Sequence, residues 1–221
     1  MVELLELLNL NPLYSFAPPR RGEKTVFAPW REMYSSLCLI FAAMRKLSMD
    51  QLGRMSVDEF KQADKTSVIV VLDNIRSMHN VGSIFRTADA FLLEAIFLCG
   101  YTPQPPHRDI HKTALGATET VDWIYFENTV DSIHELKNRG YKILAIEQVE
   151  GSISLEKFTS PNEKIAVVLG NEVEGVDIEV LKLCDRCIEI PQLGTKHSLN
   201  VSIAGGIVLW ELMRQKMAGK A

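Results

Sequence analysis

The sequence contains no run of the ~18 apolar residues that a membrane-spanning helix needs. Residues 37–43 form a short apolar stretch that stops before Arg45 and Lys46. No G-x-G-x-x-G follows a strand-like run, and no P-loop pattern occurs, so the usual dinucleotide and triphosphate cradles are excluded. Cysteine is scarce, with four residues at positions 38, 99, 184 and 187. That number suits reduced thiols in a cytosolic protein, not a disulfide framework. Cys184 and Cys187 have CxxC spacing but no second close pair to complete a zinc ribbon. They enter a strand where a redox CxxC would open a helix, so they read as structural. An excess of positive charge is also missing. The chain carries 24 Lys and Arg against 28 Asp and Glu, a net charge of −4. A surface that grips nucleic acid everywhere is excluded; a local basic patch is not. There is no internal repeat or low-complexity tract.

What is present is ordinary for a globular protein. Hydrophobic residues make up 47% and charged residues 24% of 221 positions, enough for one or two domains with a substantial core. Apolar, β-branched runs at 67–72 (SVIVVL) and 165–169 (IAVVL) read as strands buried on both faces. Further strands are expected at 95–99, 123–126, 142–147 and 185–190. Helices are expected from about Asn80 or Val81, over 130–139 with Gly140 just past its end, and over 177–183. A last helix starts after Ser198 or Asn200. Its apolar face is expected at Leu199, Ile203, Ile207 and Leu212. Gly205 and Gly206 inside it cost roughly 1 kcal/mol each relative to alanine, which points to a backbone that approaches something closely. Strand–loop–helix units alternate, so the fold class is α/β with a largely parallel sheet.

Residues 1–43 read differently. Pro12, Pro18, Pro19 and Pro29 interrupt them, and a helix is expected over 30–45. A short lead-in follows, with Ser56 capping 57–62 and Glu59 at the capping-box position. We divide the chain into an N-terminal extension, mostly helical and partly irregular, at 1–66 and a main domain at 67–221. Residues 100–112 are expected as a proline-rich loop that either touches substrate phosphates or is simply solvated. His79, His107 and His111 lie in or near it and add positive charge only below about pH 6.5.

Three stretches combine polar residues with glycines at strand ends. The first is Asn80-Val81-Gly82 with Arg86, six residues after Asn80, expected to face the same mouth. The second is Gly170-Asn171-Glu172 with Gly175, a tight turn carrying a fixed carboxylate. The third is Ile190-Pro191, Gly194 and Ser198-Leu199-Asn200-Val201-Ser202. Together, in this order, they resemble the three motifs of the SpoU/TrmH family of RNA 2′-O-ribose methyltransferases. The resemblance covers roughly residues 44–217. It implies a parallel α/β fold with a C-terminal trefoil knot, and S-adenosylmethionine held by the second and third motif loops. It implies cofactor contacts at Leu169, Gly170, Ile190, Leu193 and Leu199, with Ile146 beside them. It implies a homodimer that places one subunit's Arg86 near the other's cofactor pocket, and an RNA substrate, tRNA or rRNA. Asn80 and Arg86 would then hold the RNA and act on the hydroxyl, with Glu172, Ser198 and Asn200 completing the site. The reaction needs no metal, and a cytoplasmic location follows.

Two other readings are open: a non-catalytic RNA-binding protein of the same fold, and a small-molecule α/β enzyme with a nucleotide cofactor. The presence of all five polar motif residues counts against the first. The missing phosphate-binding glycine motifs count against the second.

Overall fold

A computed structural model describes residues 46–48, 50–160 and 163–218. The helix expected over 30–45 lies outside these residues. The chain divides into two compact units, Met1–Arg54 and Met55–Ala221. In the first, one 3-10 turn is described, Asp50–Leu52. Everything below concerns the second.

Helix α1 (Val57–Gln62) opens with the full capping box, the Ser56 hydroxyl accepting from the Glu59 N–H and the Glu59 carboxylate accepting from the Ser56 N–H. Its Phe60 is buried in the main core. The elements that follow are β1 (Thr66–Asp73), α2 (Met78–Ala90), β2 (Leu93–Cys99), α3 (Arg108–Ala114), α4 (Ala117–Thr120), β3 (Trp123–Phe126), α5 (Thr129–Asn138) and β4 (Lys142–Ile146). Then come β5 (Ile153–Ser154), β6 (Ile165–Leu169), α6 (Ile178–Leu181), β7 (Arg186–Glu189) and α7 (Val201–Ala218).

The strands form one seven-stranded sheet in the order β3-β2-β1-β6-β4-β7-β5. Every pairing is parallel. The two apolar runs seen in the sequence, β1 and β6, are adjacent at its centre, with Leu72 opposite Leu169. Period-two alternation sends β1 side chains to opposite faces. Val68, Val70 and Leu72 meet Val81 and Phe85 of α2 and Leu209 of α7. Ile69 and Val71 meet Ile133 and Leu136 of α5 and Val180 of α6. Burying each such large side chain contributes about 1.5–3 kcal/mol, which makes the central strands the rigid base of the molecule.

Several local expectations are corrected. Helix α2 starts at Met78, and Ser77, not Asn80, is its cap; the Ser77 hydroxyl accepts from the Asn80 N–H. The segment expected as a loop to residue 112 is helical from Arg108, capped by His107. The face expected on α7 mixes two faces. Val201, Val208, Leu209, Leu212 and Met213 are buried, whereas Ile203, Ile207 and Trp210 are exposed. Gly205 lies on the buried side, where a Cβ would come 2.9 Å from Leu169 Cδ1; nothing lies within 4 Å of one on Gly206. Within this chain only the first glycine serves a close approach. No described helix is long and apolar enough to cross a membrane.

Candidate active site

Parallel pairing puts all strand C-termini at one edge, where α/β proteins place their ligands. Because β1 and β6 are neighbours, the loop leaving Asp73 and the loop leaving Leu169 are neighbours too. Asp73 is buried and fixes this junction. Its carboxylate accepts from Thr129 Oγ1 at 2.6 Å, from Asn74 Nδ2 at 3.0 Å and from the Asp177 N–H at 2.9 Å.

The loop after β6 is a tight turn. Asn171 and Gly175 exchange backbone hydrogen bonds at 2.9 and 3.0 Å. A Cβ on Gly170 would sit 2.2 Å from the Gly175 carbonyl carbon and the Val176 nitrogen, so only glycine closes it. The Asn171 side chain spans the junction: its Oδ1 accepts from the Val173 N–H, and its Nδ2 donates to the Asn74 carbonyl and the Tyr101 hydroxyl.

Glu172 stands on this turn. Its carboxylate accepts from the Arg76 N–H at 2.9 Å, the Ser77 N–H at 3.1 Å and Asn80 Nδ2 at 2.9 Å. Burial raises its pKa, but the Arg76, Asn80 and Ser77 hydrogen bonds together outweigh that and hold it below the usual carboxylate range. Asn80 Oδ1 in turn accepts from Asn200 Nδ2 at 3.0 Å. Asn200 Oδ1 caps α7 through the Ser202 N–H at 2.9 Å. One hydrogen-bonded chain, Glu172–Asn80–Asn200, thus ties together three stretches far apart in sequence.

This chain lies beside a cavity of about 500 Å³. Of the residues singled out from the sequence, Ile146, Leu169, Gly170, Glu172, Ile190, Ser198, Leu199 and Asn200 all line it. Asn80 is buried and does not line it; it touches two residues that do, Glu172 and Asn200. Leu193 does not line it and is fully exposed, at 102%. Arg86 does not line it either; it borders a separate depression with Lys112, Ile203, Ile207 and Trp210. Six helical residues amount to about 240° beyond whole turns, so Arg86 cannot share a face with Asn80. Glu147, Glu174 and Glu189 also line the cavity, and sequence reading missed them. Their one signal is position: Glu147 directly follows β4, and Glu189 ends β7.

With this geometry in view, comparison with known proteins is informative. Residues 67–210 match the SpoU rRNA Methylase family. The chain belongs to that family. It is 33% identical over 171 residues to the 23S rRNA (guanosine-2'-O-)-methyltransferase RlmB of Vibrio parahaemolyticus, covering 77% of this chain and 68% of that protein. It is 34% identical over 164 residues to the tRNA (guanosine(18)-2'-O)-methyltransferase of Aquifex aeolicus, covering 72% and 74%. Among solved structures, the AdoMet-bound rRNA methyltransferase of Sinorhizobium meliloti superposes with a TM-score of 0.64 at 30% identity, covering 73% of this chain and 61% of that one. As a SpoU family member, the chain carries the family's parallel α/β fold, with Asn80, Glu172, Ser198 and Asn200, but not Arg86, gathered beside the cavity.

Proposed function

We infer that this protein is an S-adenosylmethionine-dependent RNA methyltransferase that modifies a ribose 2′-hydroxyl of tRNA or rRNA. The observation that carries the reading is the Glu172–Asn80–Asn200 chain at the cavity rim. Relatives named as guanosine 2′-O-methyltransferases of 23S rRNA and of tRNA support the reaction class.

The cavity fits the cofactor chemically. Ile146, Leu169, Ile188 and Leu199 offer apolar walls to an adenine, and Glu147, Glu172, Glu174 and Glu189 offer carboxylates to a cationic ligand. S-adenosylmethionine carries both a sulfonium and an ammonium, and opposite charge at short range favours it there. When bound, it supplies the methyl group. The protein's own task is to align a hydroxyl with that group, since positioning supplies much of the rate. Asn80 is held on one side by Glu172 and on the other by Asn200, so its amide is a fixed reference point beside the cavity. Ser198 adds a hydroxyl on the same rim.

Arg86 completes the site from a second copy of the chain. It is exposed on a face that also presents Ile203, Ile207 and Trp210. In the proposed dimer a partner covers that apolar face and Arg86 serves the partner's cavity. Its guanidinium stays charged, so it orients ribose and phosphate and favours the ionising hydroxyl electrostatically. The C-terminal trefoil knot of the family belongs to the same reading.

The test uses purified protein, methyl-labelled S-adenosylmethionine and separate pools of unmodified tRNA and rRNA, digested to nucleosides. A labelled 2′-O-methyl nucleoside is expected. Label on a base would remove the ribose assignment, and absence of cofactor binding would remove the enzyme reading.

A further inference from the structure

Residues 100–112, expected as a loop that either touches substrate phosphates or is solvated, are helical from Arg108, and the proposed catalytic site does not use them. They border a depression of about 560 Å³, apart from the cofactor cavity. We propose that this depression is an RNA subsite that takes a nucleotide flanking the methylated one. The proposal rests on the RNA methyltransferase reading and adds a location for the rest of the strand.

The size is right for a nucleotide; ligand sites run about 300–1,000 Å³. The chemistry is mixed in the way a nucleotide requires. Pro106 and the half-buried Trp123 supply an apolar wall over the fully buried Ile110. An indole is a stacking surface for any base. On the other side stand His107, Arg108 and His111, all exposed. Arg108 forms no ion pair among the described residues, so its guanidinium is available for a bidentate phosphate contact. His107 is pre-oriented. Its Nδ1 accepts the Asp109 N–H at 3.2 Å, which leaves the Nε2 proton as the outward donor. Glu119 also borders the depression; a carboxylate there suits the exocyclic amine of a base.

The location is also right. α3 is locked to α2, the helix that carries Asn80 and Arg86. Thr113 Oγ1 donates to the His79 carbonyl at 3.1 Å. A Cβ on Gly82 would lie 2.3 Å from the Ile110 carbonyl oxygen, so the helices touch backbone to backbone. Lys112 and Thr113, on the other side of α3, border the depression that holds Arg86. The helix therefore separates the Arg86 depression from the nucleotide-sized one, and presents cations to both. The Lys112 ammonium, with the charges of Arg108 and His79, holds the Asp109 carboxyl below its usual range. On a chain with net charge −4, Arg108, which forms no ion pair among the described residues, is the cation here that a phosphate would seek.

The test compares the wild type with an Arg108→Ala/His111→Ala double variant. Both side chains are exposed, so folding is not at risk. RNA affinity is measured by direct binding across a salt series, and S-adenosylmethionine affinity by calorimetry. The expected result is an RNA Kd raised about tenfold and a shallower salt dependence, by roughly one unit of slope per lost phosphate contact, with cofactor affinity unchanged. Trp123→Leu should weaken RNA binding severalfold, whereas Trp123→Phe, which keeps a ring, should bind as the wild type does. An unchanged RNA Kd and salt slope in the double variant would overturn the subsite and leave the methyltransferase reading standing. A wild type that binds no RNA and transfers no methyl group would overturn both.

Discussion

The Asn80 side chain is gripped at both ends: it donates to Glu172 at 2.9 Å across 92 positions of sequence and accepts from Asn200 at 3.0 Å across 120. Neither partner lies on its own helix. The orientation of this amide therefore reports whether all three motif stretches are in place. Replacing Asn80 with Ala removes both bonds and leaves the Glu172 carboxylate with two backbone donors. Methyl transfer should fall about a hundredfold or more through lost alignment, while stability falls by only about 1 kcal/mol. Single-turnover methylation and thermal melting of the same preparation separate the two effects.

The acid limb of stability should carry the imprint of Glu172. Its folded pKa lies below the ordinary 4.5, as the hydrogen bonds overcome burial. A group shifted this way stabilises the fold fully above its unfolded value, and the contribution is lost as pH falls through the folded value. Glu172→Gln should therefore be less stable than the wild type at neutral pH, and the gap should narrow as pH falls below 4.5. Urea midpoints collected across that range show whether it does.

Arg86 provides a test of subunit sharing. Arg86→Ala and Glu172→Ala should each be inactive as pure preparations. If the arginine serves its partner's cavity, mixed dimers contain one intact site. Co-refolded mixtures should then recover roughly a quarter of wild-type activity. No recovery, with dimers present by light scattering, would place Arg86 in its own chain's site.

Two glycines should respond in opposite directions. Gly170→Ala drives a methyl group into the backbone at Gly175 and Val176, 2.2 Å away, and should destabilise by about 1–3 kcal/mol while deforming the cofactor cavity. Gly206→Ala meets nothing within 4 Å inside its own chain and should stabilise α7 of the monomer by roughly 0.5–1 kcal/mol, but it shares a depression with Arg86, Ile203, Ile207 and Trp210, so in a dimer that covers this face the added methyl should weaken association. Denaturant unfolding of both variants reads the sign directly.

The described thiols should be inert in the native state. Burial pushes Cys99 and Cys184 each up to about 12, and raises Cys187 as well. At about pH 8, iodoacetamide should label them only after unfolding, because the thiolate is the reactive form. Peptide mapping by mass spectrometry before and after urea treatment checks this.

The legible parts of the fold were those where one force dominates. β1 and β6 are buried on both faces, so an unbroken β-branched run identifies them. Gly140 ends α5 with φ +81°, a conformation for which glycine is the cheapest residue. α3 was missed because RDIHKTA is short, polar and preceded by prolines; its packing on Gly82 is a tertiary fact. β5 has two residues and no pattern to read. The two apolar sides of α7 share one periodicity, and spacing alone cannot say which faces the sheet and which faces out. The motif residues were found in their places along the chain, but Arg86 was expected to face the same mouth as Asn80, although six helical residues turn it about 240° beyond whole turns.

The cavity wall that includes Ser198, Leu199 and Asn200 comes from the last strip of chain before α7. Synthesis proceeds from the N-terminus, and upstream elements fold first. The sheet centre can thus form while the cavity still lacks a side and Asn80 lacks its second grip. A chain still being made would hold neither cofactor nor a set amide. Methyl transfer therefore requires synthesis to have passed α7, the helix that also packs Leu209 against Val68, Val70 and Leu72 of β1.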